Sequence, residues 1–260
     1  MRLALCQTSP DPQPHAAADD ALARIARAAA HGAVLAVLPE VWTRSFGDSF
    51  DPDTVRSESV SILERWQAAC AEIGIAAYGS LPWTNGTAFT NRAFLIDATG
   101  VVAAHYDKLH LFRLLGEHER FQPGKEIAVT PIGPFSAGLS ICYDLRFPEL
   151  YRAQVDAGAD LLLICAQWPA ARAAHWRALA IARAIENQCW VVAVNRCGRA
   201  TGPRGLEYHG GSLVVDPWGD VIAELDDRPQ TAPVDIDIDR VVDIRTSHPF
   251  LADRRRDLLP

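Results

Sequence analysis

Val34-Leu35-Ala36-Val37-Leu38-Pro39-Glu40 sets five apolar residues in a row, closed by a proline and a carboxylate. A strand with water on one face alternates apolar and polar side chains. An unbroken run this short marks a strand covered on both faces, as in a parallel sheet flanked by helices. The surroundings agree. Residues 2–7 read as a strand and 16–30 as an alanine-rich helix ending at His31-Gly32, while 55–73 read as a helix stopped by Gly74. Strands follow over 75–80, 88–97 and 101–106, the last two joined by a turn at Ala98-Thr99-Gly100.

Beyond a loop over 109–126, the alternation resumes. Residues 137–141 read as a strand ending at Cys142, 148–157 as a helix, 161–165 as a strand and 173–188 as a long amphipathic helix. Strands over 190–194, 211–215, 221–225 and 231–238 precede a short helix and a charged tail. No linker, composition shift or repeat divides the chain, so residues 1–260 read as one α/β domain whose strands could form two sheets layered with helices.

The 260 residues carry a formal net charge of −7, which gives no pull toward nucleic acid. No apolar run is long enough to cross a bilayer, and the N-terminus lacks the pattern of a signal peptide. The six cysteines are scattered without metal-ligand spacing and read as reduced thiols, so the cytoplasm is the expected compartment. Of 25 basic residues only Lys108 and Lys125 are lysine. Lys125 lies in a Pro-Gly turn, whereas Lys108 stands among apolar residues, where a compact ammonium would have a purpose.

Three strand ends carry reactive groups: Glu40, Lys108 and Cys142. Cys142 enters a sharp turn before a helix starting near Pro148, where a helix N-terminus could hold it as thiolate and the Tyr143 N–H could face an oxyanion. No histidine sits in a known cysteine-hydrolase signature, so a desolvated Glu40 could act as base, with Lys108 on the oxyanion.

The segments Leu38-Pro39-Glu40, Tyr106-Asp107-Lys108-Leu109-His110-Leu111-Phe112 and Cys142-Tyr143-Asp144-Leu145-Arg146-Phe147-Pro148-Glu149 resemble, in order and spacing, the Glu, Lys and Cys motifs of the nitrilase superfamily. The resemblance implies an α-β-β-α sandwich that pairs into a homodimer or higher homo-oligomer. It makes Glu40 the general base, Lys108 the oxyanion stabiliser and Cys142 the nucleophile, with no metal or organic cofactor. It adds Glu117, seven residues before Gly124, as a second glutamate that orients Lys108 or the amide nitrogen; Glu119 is its rival.

Cys142-Tyr143-Asp144, the run from Ala166 to Arg172, Trp176, residues 182–188, Asn195-Arg196 and Gly210-Gly211-Ser212 resemble the bacterial omega-amidase-like branch. This implies hydrolysis of the terminal amide of 2-oxoglutaramate or 2-oxosuccinamate. Deaminated glutathione and other short amides are the alternatives within the superfamily. A silent binding or regulatory module and an acyltransferase are the alternatives outside that chemistry. Trp168 and Phe46 are expected to wall the pocket, and Trp176 to belong to the core. Arg172 is the expected partner of a substrate carboxylate, with Arg44 its rival. Asp144 and Arg146 are expected to form a local ion pair, as are Arg183 and Glu186 on their helix.

Overall fold

The computed structural model describes every residue except 46, 47, 85, 87, 201–204 and 259–260. In chain order the strands are β1 (Arg2–Gln7), β2 (Leu35–Val37), β3 (Ala76–Trp83), β4 (Thr90–Ile96), β5 (Val102–Asp107), β6 (Val129–Ile132) and β7 (Phe135–Ile141). There follow β8 (Leu161–Ala166), β9 (Trp190–Asn195), β10 (Cys197–Arg199), β11 (Glu207–His209), β12 (Leu213–Val215), β13 (Val221–Glu224) and β14 (Gln230–Asp235). The helices are α1 (Pro14–Ala30), α2 (Pro52–Ile73), α3 (Pro148–Asp156), α4 (Ala173–Asn187) and α5 (Ile238–Ser247).

Two six-stranded sheets form, in the orders β14-β1-β2-β3-β4-β5 and β13-β12-β9-β8-β7-β6. Each has three parallel strands at its centre, β1-β2-β3 and β7-β8-β9, with antiparallel strands outside. The two-residue period of β1 and β2 decides the layering. Leu3, Leu5, Leu35 and Val37 join Leu139, Ile141 and Leu163 of the other sheet in one core. Ala4, Cys6, Ala36 and Leu38 point the other way, onto Ile25 of α1 and Ile62 and Trp66 of α2. Helix α4 covers the far face of the second sheet with Trp176, Ala180 and Ala184. The result is the α-β-β-α sandwich, and no helix among the described residues is long and apolar enough to cross a membrane.

Element ends differ from the sequence reading for local reasons. Helix α2 starts three residues early because Asp51 accepts the Thr54 N–H at 3.0 Å and Pro52 fits the first turn. Strand β6 was unforeseen: Pro131 lies inside it, which reads as a breaker but is tolerated in an edge strand. The three-residue β10–β11 ribbon is too short for a periodicity to register. The loop over 109–126 contains two 3₁₀ turns, Arg113–Leu115 and Glu117–Glu119.

One polar contact ties the sheets together. Buried in the interface, the Tyr78 hydroxyl donates to Ser140 O at 2.9 Å and accepts from Ser140 N at 3.1 Å. Tyr78→Phe leaves both backbone groups buried without that partner, so unfolding in urea should reveal a loss of about 1–3 kcal/mol with the slope m unchanged. A stability equal to wild type would show that the contact contributes nothing.

Candidate active site

The parallel strands of both sheets deliver polar residues to one end of the sandwich, the end at which α/β sheets bind ligands. Glu40 follows β2, Cys142 follows β7, Gln167 and Trp168 follow β8, and Arg196 follows β9. Lys108 comes directly after the antiparallel β5. Its segment is placed by a close approach: a Cβ on Gly124 would lie 2.2 Å from Asp107 O, and Gly124 N donates to Lys108 O at 2.9 Å.

The Lys108 ammonium is 1% exposed and sits between two carboxylates. Its Nζ donates to Glu40 Oε1 at 2.7 Å and to both oxygens of Glu117 at 2.9 Å. Glu40 and Glu117 are themselves sealed from solvent, at 0% and 1%. Asn91 Nδ2 spans them, 2.8 Å from Glu40 Oε1 and 3.1 Å from Glu117 Oε1. Because both neighbours are acceptors, Asn91 must present its donors, and its Oδ1 is left without a partner among the described residues. Glu117 Oε2 also accepts Phe112 N at 2.6 Å, and Glu40 Oε2 accepts Gln167 N at 2.9 Å. Glu119, by contrast, is exposed.

Burial opposes the charge on Lys108, but the fields of Glu117, Glu40 and the Cys142 sulfur outweigh it and hold the ammonium well above its usual range. Burial raises Glu40, with Lys108 pulling back and Glu117 pushing further up. The Cys142 thiol is driven well above its ordinary value by burial and then by the Glu40 charge, with Lys108 opposing. Its hydrogen bond to Glu40 adds to that rise. The expectation of a standing thiolate is therefore corrected. Helix α3 begins only at Pro148, after a 3₁₀ turn over Cys142–Arg146, and a helix end acts within about one turn. Burial and the Glu40 carboxyl group thus favour the neutral thiol in the resting site.

Two residues carry backbone strain here. Val41, after Glu40, has φ 38° and Cys142 has φ 47°, a region that costs a residue with a Cβ about 1–3 kcal/mol. The Cys142 turn is anchored by Asp144, whose oxygens accept from Ile141 N at 3.0 Å, Tyr106 Oη at 2.8 Å and His110 N at 3.0 Å. His110 Nδ1 lies 2.8 Å away as well. The expected Asp144–Arg146 ion pair is thus absent among the described residues. Asp144 ties the cysteine turn to the lysine segment, while Arg146 stacks over the Trp168 ring at 4.7 Å. Arg183 and Glu186 do pair, at 2.7 Å, and Trp176 is core, 1% exposed.

A narrow cleft opens above these groups. Lys108, Glu117, Cys142, Tyr143, Trp168 and Arg172 all line it, and Glu40 sits just behind Lys108 and Gln167, within hydrogen-bond reach of Cys142. Arg172 stacks on Phe112 at 5.2 Å. Arg146 lines the cleft too, and neither arginine has a carboxylate partner among the described residues. Arg44 does not line it: its guanidinium is committed to Glu58. Phe46 lies outside the described residues. Sequence reasoning missed Asn91, an uncharged polar residue inside a strand, and the cleft position of Arg146.

The profile of one family, described as carbon-nitrogen hydrolase, matches residues 2–246. The 2-oxoglutaramate amidase of Bacillus subtilis is 38% identical over 232 residues, 88% of this chain and 87% of its own. The deaminated glutathione amidase of Bos taurus is 34% identical over 98% of this chain and 82% of its own. Among solved structures, a mutant of the amidase from Nesterenkonia sp. AN1 superposes with a TM-score of 0.85 at 30% identity. It covers 99% of this chain and 95% of its own, and carries the acetamide moiety of fluoroacetamide on its active-site cysteine.

All six cysteines are free and buried. Burial pushes Cys197 up to about 11 and Cys6, Cys70 and Cys189 up to about 12, and Cys142 alone lines the cleft beside a carboxylate. Iodoacetamide should therefore alkylate Cys142 first, as read by peptide mass spectrometry. Because Glu40 must be ionised to take the proton and burial raises it, the rate should climb with pH through a limb above the ordinary glutamate range. First modification at Cys197 would contradict this.

Proposed function

This chain belongs to the carbon-nitrogen hydrolase family, and on that footing we propose that it cleaves the terminal carboxamide of a small 2-oxo acid, of the 2-oxoglutaramate or 2-oxosuccinamate type, to acid and ammonia. One observation carries the reading: a buried ammonium held between Glu40 and Glu117 at the floor of a cleft that Cys142 lines.

In this reading Cys142 is the nucleophile and Glu40 the base. As Sγ attacks the carbonyl carbon, its proton passes to Glu40, and the carbonyl oxygen becomes an oxyanion held by Lys108 Nζ and the Tyr143 N–H. Glu40 then protonates the nitrogen, and ammonia leaves a thioester. Glu40 next takes a proton from water, which attacks the thioester; the acid departs and the proton returns to Cys142. Glu117 orients Lys108. An oxyanion gains more from Lys108 than the planar amide does, so the contact favours the transition state.

The distal carboxylate is assigned to Arg172, in the cleft wall beside Trp168. Deaminated glutathione keeps the same 2-oxo acid head and differs in the amine that leaves, which is why its amidase is the second reading. Assembly as a homodimer is part of the proposal. Ile185, Trp218 and Phe250, each 46–57% exposed, supply apolar surface for it. Six free cysteines suit a reducing, cytoplasmic setting.

Ammonia release from a panel of ω-amides tests the whole, and no turnover of any 2-oxo ω-amide would sink the substrate assignment. Cys142→Ala should abolish turnover with the fold intact by circular dichroism. Lys108→Arg should cost about a hundredfold or more in kcat, because the larger planar fork cannot replace a point contact. Arg172→Ala should raise KM for 2-oxoglutaramate much more than for an uncharged short amide. Equal effects on the two substrates would move carboxylate recognition to Arg146.

A further inference from the structure

Arg196, the first residue after β9, is the largest buried cation in the sandwich and takes no part in the reaction above. Its guanidinium is 0% exposed and has no carboxylate partner among the described residues. All its hydrogen bonds go to carbonyls of the segment that follows Glu40: Nη1 donates to Val41 O at 3.5 Å and to Arg44 O, and Nη2 donates to Trp42 O at 3.2 Å. Its Nε has no partner among the described residues. Gln167 works on the same segment, donating to Glu40 O at 2.9 Å, Val41 O at 3.1 Å and Arg44 O at 2.7 Å.

Turning those carbonyls inward is what the left-handed Val41 accomplishes, and a valine there needs outside help to stay. A neutral amide such as Gln167 supplies such help without the desolvation cost of a buried guanidinium. The positive charge therefore calls for its own account. The sealed cluster holds two carboxylates, Glu40 and Glu117, against the single ammonium of Lys108. Arg196 bonds Val41 O, the carbonyl of the residue next to Glu40, and at that separation its field and that of Glu40 act on each other.

We infer that Arg196 is a positioning residue for Glu40, holding the segment behind the carboxylate in its strained turn and supplying the second positive charge that keeps the carboxylate ionised. The inference rests on the reading of Glu40 as base. Among the described residues, the charged and titratable groups facing Glu40 are Lys108, Glu117, Cys142, Cys165 and Tyr208; those facing Arg196 are Tyr208, Asp48, Cys197 and Glu40 itself. Among them only Lys108 offers Glu40 another positive charge.

The test is the pH profile of Cys142 alkylation by iodoacetamide in the full chain, which needs no substrate. In Arg196→Gln the acid limb should move up by about half a unit or more, since loss of a nearby cation disfavours the carboxylate. The plateau rate should fall about tenfold. Arg196→Lys keeps the charge but cannot span three carbonyls, so its limb should stay in place while its plateau falls. A purely structural arginine would lower yield and Tm in Arg196→Gln without moving the limb, and that result overturns the inference. Should Arg196→Gln fail to fold, Arg196→Lys decides: an unmoved limb with a lowered plateau supports the inference, and a wild-type plateau or a displaced limb overturns it. Glu40→Gln separates the two levels. If it leaves the profile unchanged, Glu40 is not the base and both readings fall; if it flattens the profile while Arg196→Gln matches wild type, only the inference falls.

Discussion

A lysine ammonium buried between two carboxylates organises this protein. Any one of the three charges, stripped of water and left alone, would be expelled or neutralised. Together they are stable only if their carrier segments arrive from three directions at hydrogen-bond distance: Glu40 behind a parallel strand, Lys108 behind an antiparallel one, Glu117 from a 3₁₀ turn. Much of the molecule serves that convergence. The Phe112 N–H, the Asn91 amide and the Gln167 N–H complete the coordination of the carboxylates, and Gly124 lets the backbone at Asp107 and Lys108 run close to the returning loop.

The two-sheet architecture supplies the needed rigidity. Each sheet alone presents only half of the site, so sliding one across the other would break it. The interface resists sliding because the inward faces interdigitate at van der Waals density and because Tyr78 pins Ser140, two residues before Cys142. On the cysteine side Asp144 repeats the device, binding Ile141 N in its own turn and Tyr106 and His110 across the gap. Strain at Val41 and Cys142 is thereby confined to residues whose neighbours are held from several sides.

The same burial shapes reactivity. A neutral thiol next to a carboxylate of raised pKa is a less aggressive group than a free thiolate. In the proposed reaction, attack and proton transfer occur in one enclosed setting where the positive charge of Lys108 acts at close range on developing negative charge. Phe112, Trp168 and Pro169 supply the aromatic and proline walls of the cleft.

The layering was legible in the sequence because it depends on periodicity: an unbroken apolar run at 34–38 and alternating faces elsewhere dictate which strands are buried and where helices lie. Motifs singled out Glu40, Lys108, Glu117 and Cys142, and the fold brings the four together, three from behind strands and Glu117 from a 3₁₀ turn. Local rules also fixed α2's stop at Gly74. Other features were decided only by the folded chain, because they join residues far apart in sequence, where no local pattern carries a signal. Asn91 bridges Glu40 and Glu117 across 51 and 26 positions. Asp144 reaches back to His110 instead of forward to Arg146, since its oxygens are needed by buried N–H and O–H donors whose desolvation outweighs a solvent-facing ion pair. The protonation state of Cys142 belongs here too: helix position suggested a thiolate, and only the fold reveals how completely burial and Glu40 oppose it.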